Sequence, residues 1–213
     1  LGCEGEKRRG DYYVTQLHLR PMCNQEGKEA IQSAWEYNDC AWRGEKIYHV
    51  VRDPRDVAVS AMFYWEMKNI SSTIHAMTMG TKPFRYSWLD YVNEWRNVPL
   101  SCRFVFYENL VKDPRTTLDY FLSEFHLKPV NSLDEVINRQ SFAEKRKEIE
   151  AEGTGCKRPY GQTIQLKHLR HGVVGDWKSH FKRDDCLKIH DAFGELMQKL
   201  GYISGEGWWW EIE

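Results

Sequence analysis

The sequence predicts an α/β domain built on a parallel sheet flanked by helices. Two short apolar runs rich in β-branched and aromatic residues, EKIYHVV (residues 45–51) and RFVFY (residues 103–107), have the pattern of strands buried on both faces of a parallel sheet. Amphipathic helical segments follow and separate them, at residues 87–96, 114–125 and 184–200. Strands that alternate with helices place the chain in the α/β class. Its 213 residues suit one domain, residues 1–213, or part of one.

Taken in order, residues 6–10 are charged and loose, and DYYVTQLHL (residues 11–19) reads as a strand. Residues 26–42 contain a helix. After the strand at 45–51, Pro54 stands where a helix can begin, since a proline in the first turn loses no hydrogen bond. Val57, Met62, Phe63 and Trp65 continue that helix. Residues 67–84 hold Gly80 and Pro83 and read as a long loop or lid. Beyond the strand at 103–107, residues 114–125 form a helix with Leu118, Phe121, Leu122 and Phe125 on one stripe. Ser132 and Glu135 have capping-box spacing at the start of the next helix. Residues 142–150 are charged and helical, the glycine-rich residues 153–161 a loop, and Gly201 stops the last helix.

Composition excludes several functions. Thirty Lys and Arg against 31 Asp and Glu leave a formal charge of −1, so no global basic field points to nucleic acid. No apolar run approaches the ~18–20 residues of a membrane span. The six cysteines (Cys3, Cys23, Cys40, Cys102, Cys156 and Cys186) are widely spaced without a C-x-x-C pair, which argues against a zinc ribbon or redox motif. His168, His171 and His180 fit no standard zinc pattern either. Reduced thiols in a cytoplasmic setting are the expectation.

The chemistry concentrates in two segments, YHVVRDPRDVAVS (residues 48–60) and LRHGVVGDWKSHF (residues 169–181). The first delivers Arg52, Asp53, Pro54 and Arg55 to the carboxyl edge of a parallel sheet, where ligands of such sheets bind. The helix that follows offers free N–H groups and a positive dipole end there. Arg52 can clamp a phosphate bidentately, and the Ser60 hydroxyl can donate to the same group. The plainer reading of this stretch is a solvated helix start with Arg55 and Asp56 as surface charges. In the second segment, Gly172 and Gly175 let backbone N–H groups approach an anion closely. Asp176 reads as a helix cap and Trp177 as an anchor against the body; the alternative is an ordinary loop.

Together these segments resemble the nucleotide-binding signatures of the cytosolic sulfotransferases, and the resemblance runs in order through nearly the whole chain. That family uses a P-loop NTPase-like fold to transfer a sulfuryl group from 3′-phosphoadenosine 5′-phosphosulfate (PAPS) to an alcohol, phenol or amine, leaving 3′-phosphoadenosine 5′-phosphate (PAP). The resemblance implies that Arg52 and Ser60 contact the 3′-phosphate and that Tyr107, in FVFYENLVKDP, approaches the adenine. It further implies that Ser141 and Phe142, in QSFAEKRK, pack on the base, and that Arg170, His171 and Gly172, in RHGVVGDWK, meet the 3′-phosphate. VTQLHLRP resembles the T-H-L-P pattern of the family's catalytic base and nominates His18. A neutral histidine suits that task, because a hydroxyl nucleophile is weak until a neighbouring base takes its proton.

Three departures stand beside the resemblance. The Lys often found two residues before the base is Gln16. Of the dimerisation pattern K-x-x-x-T-V-x-x-x-E, Lys178 fits the start, while Lys182, Arg183 and Leu187 replace the rest, so the oligomeric state stays open. Only 17 residues precede His18, and none resembles the P-K-S-G-T-T-W loop that grips the 5′-phosphosulfate. The chain is therefore expected to be an N-terminally incomplete sulfotransferase, with its start at Leu1 favouring a fragment over a degenerate protein. An inactive PAP-binding or partner-binding relative is the alternative; a P-loop kinase lacks support, without a Walker A motif. Phe63, Tyr64, Trp65, Phe84 and Tyr86 line an apolar acceptor pocket or belong to the core. The Trp208-Trp209-Trp210 run packs on the body, covers the acceptor or meets another chain.

Overall fold

The computed structural model describes residues 47–84, 86–96, 102–124, 126–129, 131–152, 166 and 169–211. The strand expected at 11–19, the helix within 26–42, the loop at 153–161 and His18 lie outside these residues.

Strand β1 (Ile47–Val51) pairs in parallel with β2 (Cys102–Phe106), Ile47 opposite Cys102 and Val51 opposite Phe106. The crossover between them carries α1 (Pro54–Tyr64), α2 (Ile70–Met79) and α3 (Trp88–Arg96). After β2 come α4 (Tyr107–Lys112), α5 (Pro114–Glu124), α6 (Leu133–Arg139) and α7 (Phe142–Glu152). A 3₁₀ turn (Asp176–Ser179), helix α8 (Arg183–Lys199) and a final 3₁₀ turn (Trp208–Glu211) complete the described chain. No helix among the described residues is long and apolar enough to cross a membrane.

Local signals explain the starts and stops. The Asp53 carboxylate accepts the Arg55 N–H at 2.9 Å and caps α1, with Pro54 in the first turn as its fixed φ favours. Helix α8 buries Cys186, Ile189, Phe193, Leu196 and Met197, one stripe at helical spacing, against α1, α2 and the end of β1. Gly201, at φ 79°, stops it.

Four expectations need correction. Residues 67–84 are not a long loop: α2 occupies most of them. Asn69 and Ser72 cap each other's backbone N–H groups, and Ile70, Ile74 and Met77 form a buried stripe. Gly80 then ends the helix at φ 62°, where a Cβ would come within 2.6 Å of the Ser87 backbone nitrogen. Burial of β1 is one-sided: His49 and Val51 face the core, whereas Val50 is 52% exposed. Helix α6 does start after Ser132, but the Ser132 side chain makes no cap hydrogen bond. Asp176 caps nothing; its carboxylate pairs with Arg170.

Burial of His49 has a measurable consequence. The ring stacks on Trp95 with centroids 5.1 Å apart and also meets Tyr91 and Phe104. Desolvation there pushes its pKa from 6.5 down to about 4. Above pH 6.5 the ring is neutral in both states. As pH falls toward 4 the unfolded chain takes up a proton that the folded chain refuses, and stability is lost, about 3 kcal/mol in full. Urea unfolding across that window is expected to show this fall, and the His49→Phe variant a shallower one.

Candidate functional site

Parallel pairing puts Val51 and Phe106 side by side, so Arg52 and Tyr107 leave the sheet at the same carboxyl edge. The Arg52 guanidinium lies 4.4 Å from the centroid of the Tyr107 ring. Its Nη2 donates to the Val173 carbonyl at a long 3.4 Å and lies 4.0 Å from the Asp56 carboxylate. Its Nε is buried and has no hydrogen-bond partner among the described residues.

Asp56 holds the far segment against this edge. One carboxylate oxygen accepts the Gly175 N–H at 2.7 Å and the other the Trp177 N–H at 3.0 Å. Burial raises its pKa above the usual carboxylate range, and the two amides and Arg52 pull against that shift. Arg55 and Asp56 are therefore not surface charges; both are buried. Asp56→Ala is expected to lower the unfolding free energy by about 2–4 kcal/mol, because two inward amides lose a charged acceptor. Urea unfolding measures the loss, and faster amide exchange at Gly175 and Trp177 locates it.

The loop so anchored runs back past Gly172. This glycine sits at φ 64°, and a Cβ on it would come within 2.6 Å of the Phe142 ring. Close approach of loop and ring thus requires glycine. Phe142 opens α7, and the Ser141 hydroxyl before it accepts the Glu144 N–H at 3.4 Å. Arg146, one turn on, donates to the Leu169 carbonyl at 3.1 Å and ties α7 to the head of the loop. Arg170 pairs with Asp176 and lies 4.3 Å over the Phe63 ring. Burial raises the Asp176 pKa, but Arg170, with His180 and His171, more than offsets this and leaves it below the ordinary value.

Arg52, Tyr107, Ser141, Phe142, Arg170 and Gly172 are linked by these contacts around one edge. His171 is exposed, its Nδ1 3.4 Å from Arg170 Nη1. Ser60 is exposed on α1 two turns beyond Arg52, one turn beyond Asp56 and one before Phe63. The aromatic group divides: Phe63, Trp65 and Tyr86 are exposed, Tyr64 is half-buried, and Phe84 packs against the core with Trp65 edge-on to it at 5.1 Å. Trp208 and Trp209 pack on the body.

A model of the sulfotransferase domain matches residues 41–201. The chain belongs to the sulfotransferase family. Sulfotransferase 2A6 of Mus musculus is 31% identical over 164 residues, covering 72% of this chain and 55% of that protein. Sulfotransferase 1E1 of Mus musculus is 27% identical over 190 residues, 84% of this chain and 60% of that one. The 3-beta-hydroxysteroid sulfotransferase of Cavia porcellus is 31% identical over 163 residues, 71% and 56%. This sulfotransferase chain thus spans little more than half the length of such relatives. Its fold is similar to mouse sulfotransferase SULT7A1 complexed with PAP, at TM-score 0.60 and 23% identity over 80% of this chain and 63% of that one. It is also similar to retinol dehydratase in complex with androsterone and inactive cofactor PAP, at TM-score 0.56 and 16% identity over 80% and 61%. The α/β sulfotransferase fold read from the sequence is the fold of the structure.

Sequence patterning does not single out Glu108 or Tyr202, yet they brace the edge. Glu108 accepts the Asp53 N–H at 2.9 Å and the Tyr202 hydroxyl at 3.3 Å. The signal that was there is the second acid of RDPRD: Asp56 falls one helical turn beyond Arg52, facing whatever packs on the helix start.

Proposed function

We propose that this chain is part of an enzyme that transfers a sulfuryl group from PAPS to the hydroxyl or amine of a small-molecule acceptor, releasing PAP. The observation that carries this reading is the convergence of Arg52, Tyr107, the start of α7 and the 170–173 loop on one sheet edge. Two details favour a phosphorylated nucleotide there. Arg52 Nε is a buried donor without an acceptor among the described residues, and the Gly172 backbone is packed against an aromatic ring where no side chain fits. In this reading Arg52, Ser60, Arg170, His171 and the Gly172 N–H hold the 3′-phosphate, while Tyr107, Ser141 and Phe142 receive the adenine. Bound PAPS supplies the sulfuryl group, which passes to the acceptor atom as its bond to the phosphate oxygen breaks. His18 takes the acceptor's proton, so that the attacking atom carries its lone pair free. The reaction belongs to the cytoplasm, where the free, buried thiol of Cys186 stays reduced. Relatives named for hydroxysteroids make small apolar alcohols the first acceptors to try.

Calorimetric titration with PAP, beside adenosine 5′-monophosphate, tests the site. Binding that requires the 3′-phosphate supports it, and equal or absent binding of both defeats it. Turnover of PAPS with an alcohol panel then separates an enzyme from a relative that only binds.

A further inference from the structure

Arg55 stands three residues from Arg52 in the same strand-to-helix turn, and the nucleotide reading gives it no role. It is 6% exposed. Its Nε and Nη2 reach the Asp53 carboxylate at 2.6–3.1 Å, and Nη2 also donates to the Tyr202 carbonyl at 3.0 Å. The guanidinium carbon lies 4.1 Å from the Trp177 ring centroid and 4.6 Å from that of Trp208. The two indoles stand at 84° to each other, 5.6 Å apart, and the cation fills the corner between them. Trp208 is itself oriented: its Nε1 donates to His190 Nδ1 on α8 at 3.2 Å.

Three segments therefore close on one cation: the β1–α1 turn, the loop end at Trp177, and the C-terminal stretch 202–208. Asp53 alone would balance the charge. The indole faces add attraction that strengthens out of water, and they add it in a geometry that links the turn to the loop. Asp53 is the backbone neighbour of Arg52, and Trp177 hangs from Asp56 on the loop that carries Gly172 and Val173. A shift of Arg55 moves both walls of the site.

We propose that Trp208 is a positioning residue for the nucleotide site: by closing on Arg55, it sets the turn that carries Arg52 against the loop that carries Gly172. The inference rests on the proposed nucleotide reading and adds the C-terminal segment to it. A loose turn costs most where a ligand group must meet several donors at once, which is at the 3′-phosphate.

The test uses the whole chain, its Trp208→Ala and Trp208→Phe variants, PAP and adenosine 5′-monophosphate as ligands, and amide exchange without ligand. Trp208→Ala is expected to weaken PAP about tenfold and to change the 5′-monophosphate by less than about twofold. Exchange at Arg55, Gly175 and Trp177 is expected to speed up, and Trp208→Phe, which keeps a ring face, to restore most of both. An unchanged ratio of the two affinities overturns the proposal, whether both are intact or both fall together with the thermal midpoint, as a merely structural role would have it. A wild-type chain indifferent to the 3′-phosphate overturns the nucleotide reading and the positioning role with it; the exchange data then still report whether Trp208 holds the turn.

Discussion

Arg52→Ala is expected to weaken PAP binding by about 10²–10⁴-fold while leaving the fold in place. Each hydrogen bond between charged groups contributes about 1.5–3 kcal/mol, and a bidentate clamp loses two of them. The ligand-free chain loses little. Among the described residues Arg52 makes one long 3.4 Å bond to Val173, lies 4.0 Å from Asp56, and leaves Nε without an acceptor. Urea unfolding should therefore move by less than about 1 kcal/mol, in contrast to Asp56→Ala. Arg52→Lys keeps the charge but not the planar fork and should fall between the two. Calorimetry on the three proteins checks this series. A PAP affinity unmoved by Arg52→Ala would take the 3′-phosphate away from this edge.

The second large effect is on turnover. His18→Ala is expected to lower kcat by about 10²–10⁴-fold, the usual contribution of a placed general base. PAP affinity should be unchanged, since the residues assigned to the nucleotide lie at 52–60, 107, 141–142 and 170–172. A histidine base acts unprotonated, so the active protein should lose rate as the solution is acidified, and the variant's residual rate should lose that acid limb. Steady-state rates against pH with PAPS and an alcohol acceptor measure both. If turnover survives in the variant, the base is another group.

The two predictions draw on different kinds of information. Arg52 is legible because a short apolar strand sends the residues after it to the carboxyl edge of the sheet, whereas Tyr107 is nominated by the family resemblance alone. Gly172 is legible as a glycine that permits close approach, though the ring it meets, Phe142, comes from a helix start 30 residues earlier. Helix α2 was hidden because Gly80 and Pro83 read as loop punctuation, while the reciprocal cap of Asn69 and Ser72 uses a serine where Glu or Gln is the usual signal. The opposite error occurred at Ser132, whose spacing to Glu135 suits a cap that its side chain does not make.

Charges were hardest to read. RDPRD looks like a solvated helix start, and three of its charged members, Asp53, Arg55 and Asp56, are buried. Arg55 pairs with Asp53 two residues before it, but the groups that cover these charges, Tyr202, Trp177, Trp208 and the Gly175 amide, are far along the chain and do not announce the burial. Asp176 is a different case: it pairs with Arg170, in the same loop, instead of capping the turn it begins.

Helix starts, chain direction and the residues delivered to the sheet edge follow from local chemistry: proline and Asp at a first turn, glycine at a positive φ, β-branched runs in strands. The sequence alone therefore specifies the α/β order and the arginine at the end of β1. Which amides, carbonyl and rings these buried charges meet is settled only when distant segments pack. Asp56 and Gly175 are 119 residues apart, and that hydrogen bond exists because burial leaves the carboxylate no water and the loop offers it two amides.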